Sequence, residues 1–381
     1  MYNIENKIIN YIQKHLIMLG LILLTIISII IRWALMDYKS GDYNAYLVNW
    51  WNEIKTYSGI SSLCHTIGDY NVPYLVCLLI LTHITNNALY GIKILSICFD
   101  YICSISIALI IYQLSFNKFQ SFLGYAITIF APTLILNSSY WGQCDSIYVS
   151  FLLLCIWQLT KENYTCAFIL YSIAFSFKLE AILFLPILII LYFTNRKFTI
   201  LNFALIPSIF IVSTTPAIIA GRSMLNILWV LQNQTKEYKS LTLNYPNFYA
   251  FLSGDYKYFK IFGIWLTIGI LGIILILLIK NNIVIYNQSL LKLSILIILI
   301  CLFFLPSMHE RYGLIIDLLS IALLLLHPKY YYITIGINFV SLIGYIAYFC
   351  GISDYIWKFT SIILFLVIML TIKICKVSNQ T

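Results

Sequence analysis

The sequence predicts an all-α polytopic membrane protein with about 11–13 transmembrane or re-entrant helices, each sized to the bilayer. Three observations carry this reading. Hydrophobic residues make up 61% of the 381 and charged ones only 10%, with a mean hydropathy of +0.91, which no water-soluble domain has. Runs such as Leu16–Ile31, Ile261–Ile279, Leu290–Leu305 and Ile356–Ile372 are long enough, or nearly so, to cross about 30 Å of hydrocarbon. The Lys and Arg residues gather between such runs instead of forming one patch, so the net charge of +9 does not point to nucleic acid.

Apolar segments fall at 16–35, 73–89, 91–114, 119–136, 144–160, 163–194, 198–219, 261–279, 290–305, 312–326, 330–350 and 356–372. The first follows Lys7, Lys14 and His15 with no small-residue cleavage site after it, so it is expected to be a retained span. Basic residues cluster at Lys7/Lys14, Arg196/Lys197, Lys280 with Lys292, Lys329, and Lys373/Lys376. The positive-inside rule makes these cytoplasmic and leaves 36–72, 220–260, 306–311 and 351–355 outside, with both termini cytoplasmic. The expected division within one integral membrane domain (1–381) is a helical module over 1–220, an outer loop over 221–260 and C-terminal helices over 261–381. Ten cysteines, scattered mostly through the apolar runs without C-x-x-C spacing, read as small buried side chains.

One segment tests this topology. Asp145 lies three apolar segments after the outer loop 37–72, so three full crossings would put it in the cytoplasm. One re-entrant segment would instead put it outside. In that version 163–194 must be two short helices meeting near Lys178, because a single helix would be about 48 Å long. As one helix the segment would need a strong tilt or a kink at Pro186, whereas two short helices put Lys178 near a membrane surface or cavity and lower the cost of a charge in mid-segment. The re-entrant version is favoured.

The polar residues concentrate in a few places. In the outer loop 37–72, Asp42 precedes Tyr43, Tyr46, Leu47, Trp50, Trp51, Ile54 and Tyr57, an aromatic stripe expected to lie at headgroup level. Asp42 reads either as the N-cap of that helix or as a general base. Asp69, in Gly68-Asp69-Tyr70-Asn71-Val72-Pro73, reads as turn chemistry or as a second acid over a substrate. In Tyr140-Trp141-Gly142-Gln143-Cys144-Asp145, Asp145 and Gln143 suit a helix start or a site. Lys178 precedes Glu180 by two residues, and His309, Glu310 and Arg311 stand consecutively at a span end. Arg and His facing inward there would make a phosphate clamp; facing outward they would only snorkel. Asn244 and Asn247 lie in a polar-aromatic turn suited to lining a cleft.

In this order the motifs resemble those of the GT-C glycosyltransferases. The chain is similar both to bacterial relatives of the GPI mannosyltransferases and to the dolichyl-phosphate-glucose-dependent glucosyltransferases. The matching pieces are Ser40-Gly41-Asp42-Tyr43, Gly68 to Pro73, Trp141 to Asp145, Phe177-Lys178-Leu179, Leu243 to Asn247, and Met308 to Tyr312, spanning about residues 30 to 315. The resemblance implies an inverting transfer of a hexose, glucose or mannose, from polyprenyl phosphate to a lipid-linked or cell-envelope glycan or glycolipid. The site would face outward from a bacterial plasma membrane. Asp42 would be the general base, with Asp69 beside it departing from the family's usual D-Y-P-P. Arg311, His309 and Lys178 would hold the donor phosphate, and Trp141, Gln143, Asp145, Asn244, Asn247 and Glu310 would line the substrate. With no D-x-D pair in the first loop, neither a metal nor another cofactor is expected. A transporter of lipid-linked saccharide or a polysaccharide polymerase are the alternatives.

Overall fold

The computed structural model describes residues 2–377 apart from 58, 235, 237 and 253. Among them, seven helical stretches are long and apolar enough to cross a membrane: Leu16–Leu35, Ala88–Ser115, Ile200–Ile219, Tyr256–Lys280, Asn287–Phe304, Pro328–Cys350 and Asp354–Cys375. An eighth is added if Lys118–Ile129 and Pro132–Trp141, bent by 47°, form one broken span. This is the helical architecture of an integral membrane protein, with shorter apolar helices packed among the long ones. The side chain of Lys376, one of the basic residues at the C-terminal end, lies outside the described ones.

Helix α1 (Tyr2–Lys14) leads into α2 (Leu16–Leu35). After a π-helical turn, Tyr43–Leu47, come α3 (Val48–Tyr57), α4 (Val72–Ile84) and α5 (Ala88–Ser115). The Lys93 ammonium in α5 donates to the carbonyls of Leu35, Met36 and Tyr38 at 3.4, 3.0 and 2.6 Å, satisfying groups that the end of α2 leaves open. The end of α2 and the start of α5 therefore share one end of the bundle, which we term the polar end.

Helix α4, only about 20 Å long at 1.5 Å per residue, starts and finishes there. Before it, the Tyr70 hydroxyl donates to Gln143 at 3.3 Å; after it, Asn86 accepts from Lys55 at 2.9 Å. Segment 73–89 is thus the element that turns back, and Asp145 lies at the same end as Asp42.

The aromatic helix departs from expectation. Trp50, Trp51 and Ile54 are buried in a second hydrophobic cluster with Leu75 and Leu78 of α4 and Ile92 of α5, so protein covers this face of the stripe. Only Tyr46 and Tyr57 of the stripe are well exposed. The approach needs glycine: a Cβ on Gly91 would stand 2.7 Å from the Trp51 ring. Gly68 sits at φ +57 directly against Trp50, where a Cβ would clash at 2.3 Å.

Helices α6 (Lys118–Ile129) and α7 (Pro132–Ile135) return the chain to the polar end through a π-helical turn, Leu136–Trp141, closed by Gly142 at φ +86. Next come α8 (Asp145–Thr160) and α9 (Tyr164–Phe177). The long segment 163–194 breaks at Lys178, whose backbone is extended (φ −151, ψ 132). A 3₁₀ turn, Leu179–Phe184, then leads into α10 (Leu185–Asn195). Pro186 does not kink a helix; it lies in the first turn of α10, where its missing N–H costs nothing.

The remainder is α11 (Leu205–Ile219), α12 (Met224–Gln234), α13 (Tyr256–Lys280), α14 (Asn287–Phe304), α15 (Leu314–Leu326), α16 (Tyr331–Cys350) and α17 (Asp354–Val377). The stretch expected as a plain loop over 221–260 holds α12 and a two-residue strand, β1 (Thr242–Leu243). It pairs in parallel with β2 (Met308–His309), Thr242 opposite Met308 and Leu243 opposite His309. The main core is continuous from Cys103 to Ile374, so helices from both sides of residue 220 share it.

Candidate functional site

Asp42 is freed from helix capping by its neighbour. The Ser40 hydroxyl accepts from the Tyr43 N–H at 3.1 Å and donates to the Trp141 carbonyl at 2.7 Å, while the Asp42 side chain caps nothing. Its carboxylate turns to other elements. Oδ2 accepts from Trp141 Nε1 at 3.0 Å and Gln143 Nε2 at 2.6 Å, and Oδ1 accepts from the Tyr348 hydroxyl at 2.8 Å. Arg311 Nη1 stands 3.9 Å from Oδ2. These donors come from the turn after α7, from α16 and from the segment after β2.

Asp145 is not an N-cap either. It is the first residue of α8, fully buried, and ion-paired with Lys178. Its other oxygen accepts from Asn137 Nδ2 at 2.9 Å and lies 3.6 Å from Arg311 Nε. Asn137 also donates to the Tyr345 hydroxyl at 3.1 Å. Lys178 further approaches Glu180 at 3.9 Å and lies over the rings of Tyr70, Tyr148 and Tyr312. The Arg311 guanidinium lies 5.4 Å over the Trp141 ring, which is itself stacked on Tyr348 at 4.0 Å.

Glu310 is fully buried, 3.8 Å from both Arg311 Nη1 and His309 Nδ1. Burial pushes its carboxyl up to about 7, with Arg311 opposing. Burial, then the charges of Arg311 and Lys178, hold His309 down to about 2. Of the three residues expected to hold the donor phosphate, Lys178 and Arg311 are cations and His309 stands beside them as an imidazole held neutral by its surroundings. Both cations are faced by carboxylates, from Asp42, Asp145, Glu180 and Glu310.

The cluster thus unites Asp42, Trp141, Gln143, Asp145, Lys178, Glu310 and Arg311, with His309 at its edge. Asn244, at φ +57, bridges His309 through its backbone. Asn247 is set apart: its side chain caps the Tyr249 N–H at 3.1 Å and its carbonyl accepts from Ser361 at 3.0 Å, so it shapes the turn. Asp69 is half-buried and its carbonyl, not its carboxylate, is engaged, by Gln234. The residue of that turn which reaches the cluster is Tyr70.

Sequence reading missed Asn137, Tyr70, Tyr345 and Tyr348. Tyr345 and Tyr348 are spaced to share a face of α16, but at the end of a span they look like ordinary interfacial aromatics. Behind the site, Asp100 of α5 accepts from Arg32 Nε of α2 at 3.1 Å and from Ser138 at 2.5 Å, a buried charge pair also unread in the sequence.

Access distinguishes the carboxylates. The Asp42 side chain is 26% exposed, whereas those of Asp145 and Glu310 are at 0%. Three donors occupy three of the roughly four acceptor positions that a carboxylate offers, leaving one for an incoming hydroxyl. Beside the cluster lies a cavity of about 330 Å³ with Glu180, Tyr238, Lys260 and Tyr312 among apolar residues such as Ile264 and Leu305. Among the described residues no three His, Cys, Asp or Glu side chains gather as a metal would require. No protein-family model and no curated protein matches the chain.

Proposed function

We propose that the chain is a GT-C-type membrane transferase that moves a hexose from a polyprenyl-phosphate donor to a lipid-linked or envelope glycan acceptor. The observation that carries this is a part-exposed carboxylate, Asp42, fixed by Trp141, Gln143 and Tyr348 beside Arg311. In this reading Asp42 takes the proton of the acceptor hydroxyl as its oxygen attacks the anomeric carbon, and the sugar–phosphate bond breaks on the opposite face. Arg311 and Lys178 receive the charge that builds on the departing lipid phosphate, with His309 as a neutral hydrogen-bonding partner. Their facing carboxylates moderate that role, and protonation of Glu310 near neutral pH lightens the negative load. The apolar cavity beside Tyr312 suits the first units of a prenyl tail.

The ends of the bundle are consistent with this orientation. Lys118, Arg196, Lys197, Lys280 and Lys329 lie at helix junctions away from the polar end, and by the positive-inside rule this supports an extracytoplasmic Asp42 cluster with both termini in the cytoplasm. A transport reading draws on the buried Arg32–Asp100 pair, since charges in spanning helices often mark a pathway. One experiment separates the two. Purified protein is incubated with polyprenyl-phosphate hexoses and candidate acceptors, and free polyprenyl phosphate is measured. Its release supports transfer; saccharide uptake into vesicles without release sinks it.

A further inference from the structure

At the opposite end of the bundle lies a cavity of about 820 Å³. Its walls are the C-terminal turn of α5, the linker between α13 and α14 with the first turns of α14, and the junction between α15 and α16. Lys292, His327 and Lys329 line it together with amide side chains such as Asn282 and Gln288, and no acidic residue is among its described lining.

Lys292 is the informative residue. It is 6% exposed and faces the cavity; among the described residues it has no hydrogen bond or ion pair, and its Nζ lies 5.9 Å over the Tyr330 ring. Its side chain is buried while its ammonium opens onto the cavity, where an anion would supply the counter-charge. His327 adds a second group there, its buried Nε2 having no hydrogen-bond partner among the described residues. Burial and the charges of Lys292 and Lys329 hold that imidazole down to about 4, so the cationic field reaches the cavity's own lining.

The wall is fixed before any ligand arrives. Asn195, at the end of α10, clasps the linker by both its amide groups: Oδ1 accepts from the Ile285 N–H at 2.9 Å and Nδ2 donates to the Ile285 carbonyl at 2.5 Å. The first turn of α14, an 18-residue helix, adds its positive end to the same space. Around the mouth, Phe116, Val284 and Tyr286 are 76%, 47% and 56% exposed, an apolar rim on a protein whose spans are embedded in lipid.

We propose that this cavity binds an anionic phosphate group, with Lys292 and Lys329 as its counter-charges and His327 as a hydrogen-bonding partner. The apolar rim favours the headgroup of an acidic phospholipid in the adjoining leaflet; a free phosphate would use the same contacts without the rim. The site is separate from the Asp42 cluster and does not depend on the reaction assigned there.

The test uses the full chain in detergent, with ligand binding counted by native mass spectrometry. The probes are dioctanoyl phosphatidylglycerol, dioctanoyl phosphatidylcholine and inorganic phosphate. Phosphatidylglycerol should bind at least about tenfold more tightly than phosphatidylcholine, and Lys292→Gln and Lys329→Gln should each weaken it about tenfold, the effect of losing one charge-assisted contact. Tight binding of inorganic phosphate with the same dependence on both lysines supports the site and assigns it to a soluble ligand. Equal binding of the two lipids with no phosphate binding overturns the proposal, and so does anion binding that neither variant alters. Should Lys292→Gln fail to fold, the exposed Lys329→Gln decides the matter alone.

Discussion

Replacing Asp42 by Asn separates chemistry from structure unusually well at this site. An Asn Oδ1 turned toward Trp141 Nε1 and Gln143 Nε2 keeps both of those hydrogen bonds, and its Nδ2 can donate to the Tyr348 oxygen in place of accepting from it. Arg311 retains Asp145 at 3.6 Å and Glu310 at 3.8 Å. The change in stability should therefore stay within about 1 kcal/mol. Asp42→Ala differs, because it strands the N–H groups of the buried Trp141 and Gln143, at about 1–3 kcal/mol for each unmet donor. If Asp42 is the base, as proposed, its removal should lower transfer by about 10²–10⁴-fold, or roughly 3–5 kcal/mol in the barrier. The assay is release of free polyprenyl phosphate from a lipid-linked hexose, with thermal unfolding measured on the same samples. The expected pattern is Asn inactive and stable, Ala inactive and less stable. An Asn variant working within threefold of the parent would show that Asp42 is not the base.

Three further outcomes follow from the same geometry. Lys178→Met leaves Asp145 buried with one counter-charge fewer and should cost up to about 3–5 kcal/mol, while Lys178→Met with Asp145→Asn should recover at least half of the lost melting temperature; additive losses would deny the coupling. Tyr348→Phe keeps the ring stacked on Trp141 but removes the hydroxyl that holds Asp42, so transfer should fall about five- to tenfold with unfolding temperature nearly unchanged. Glu310 carries a pH signature: its carboxyl is raised from 4.5 to about 7 in the folded chain, so the native state holds a proton that the unfolded state has lost. Its contribution is full below pH 4.5 and is lost as pH rises through 7, and Glu310→Gln should flatten that slope in melting temperature between those pH values.

The extent to which the site could be read in advance depends on the kind of signal each residue gives. Asp42, Lys178 and Arg311 stood out because a charge amid apolar sequence is conspicuous and expensive. Tyr348 and Asn137 did not, since a tyrosine at a span end and an asparagine in an apolar turn have ordinary explanations. Their roles arise from contacts hundreds of residues apart, such as Tyr348 with Asp42. Asp42 reads from sequence as either cap or base, and only the structure shows that Ser40 takes the cap and leaves the Asp42 carboxylate to other elements. The aromatic stripe around Trp50 and Trp51 was legible as amphipathic, but whether lipid or protein covered it depended on α4 folding back over it.

Composition and run length alone determine that this chain is a bundle of membrane-length helices, because hydrocarbon leaves the backbone no other way to satisfy its polar groups. Length also makes one straight helix over 163–194 overshoot the bilayer, but whether a break at Lys178 or a kink at Pro186 relieves it is decided by the tertiary structure. Tertiary structure decides which segment turns back, which carboxylate remains open to solvent, and that the expected cations arrive already faced by acids. Those are properties of distances between remote parts of the chain, and electrostatic energy depends on distance and burial, neither of which a linear order of residues contains.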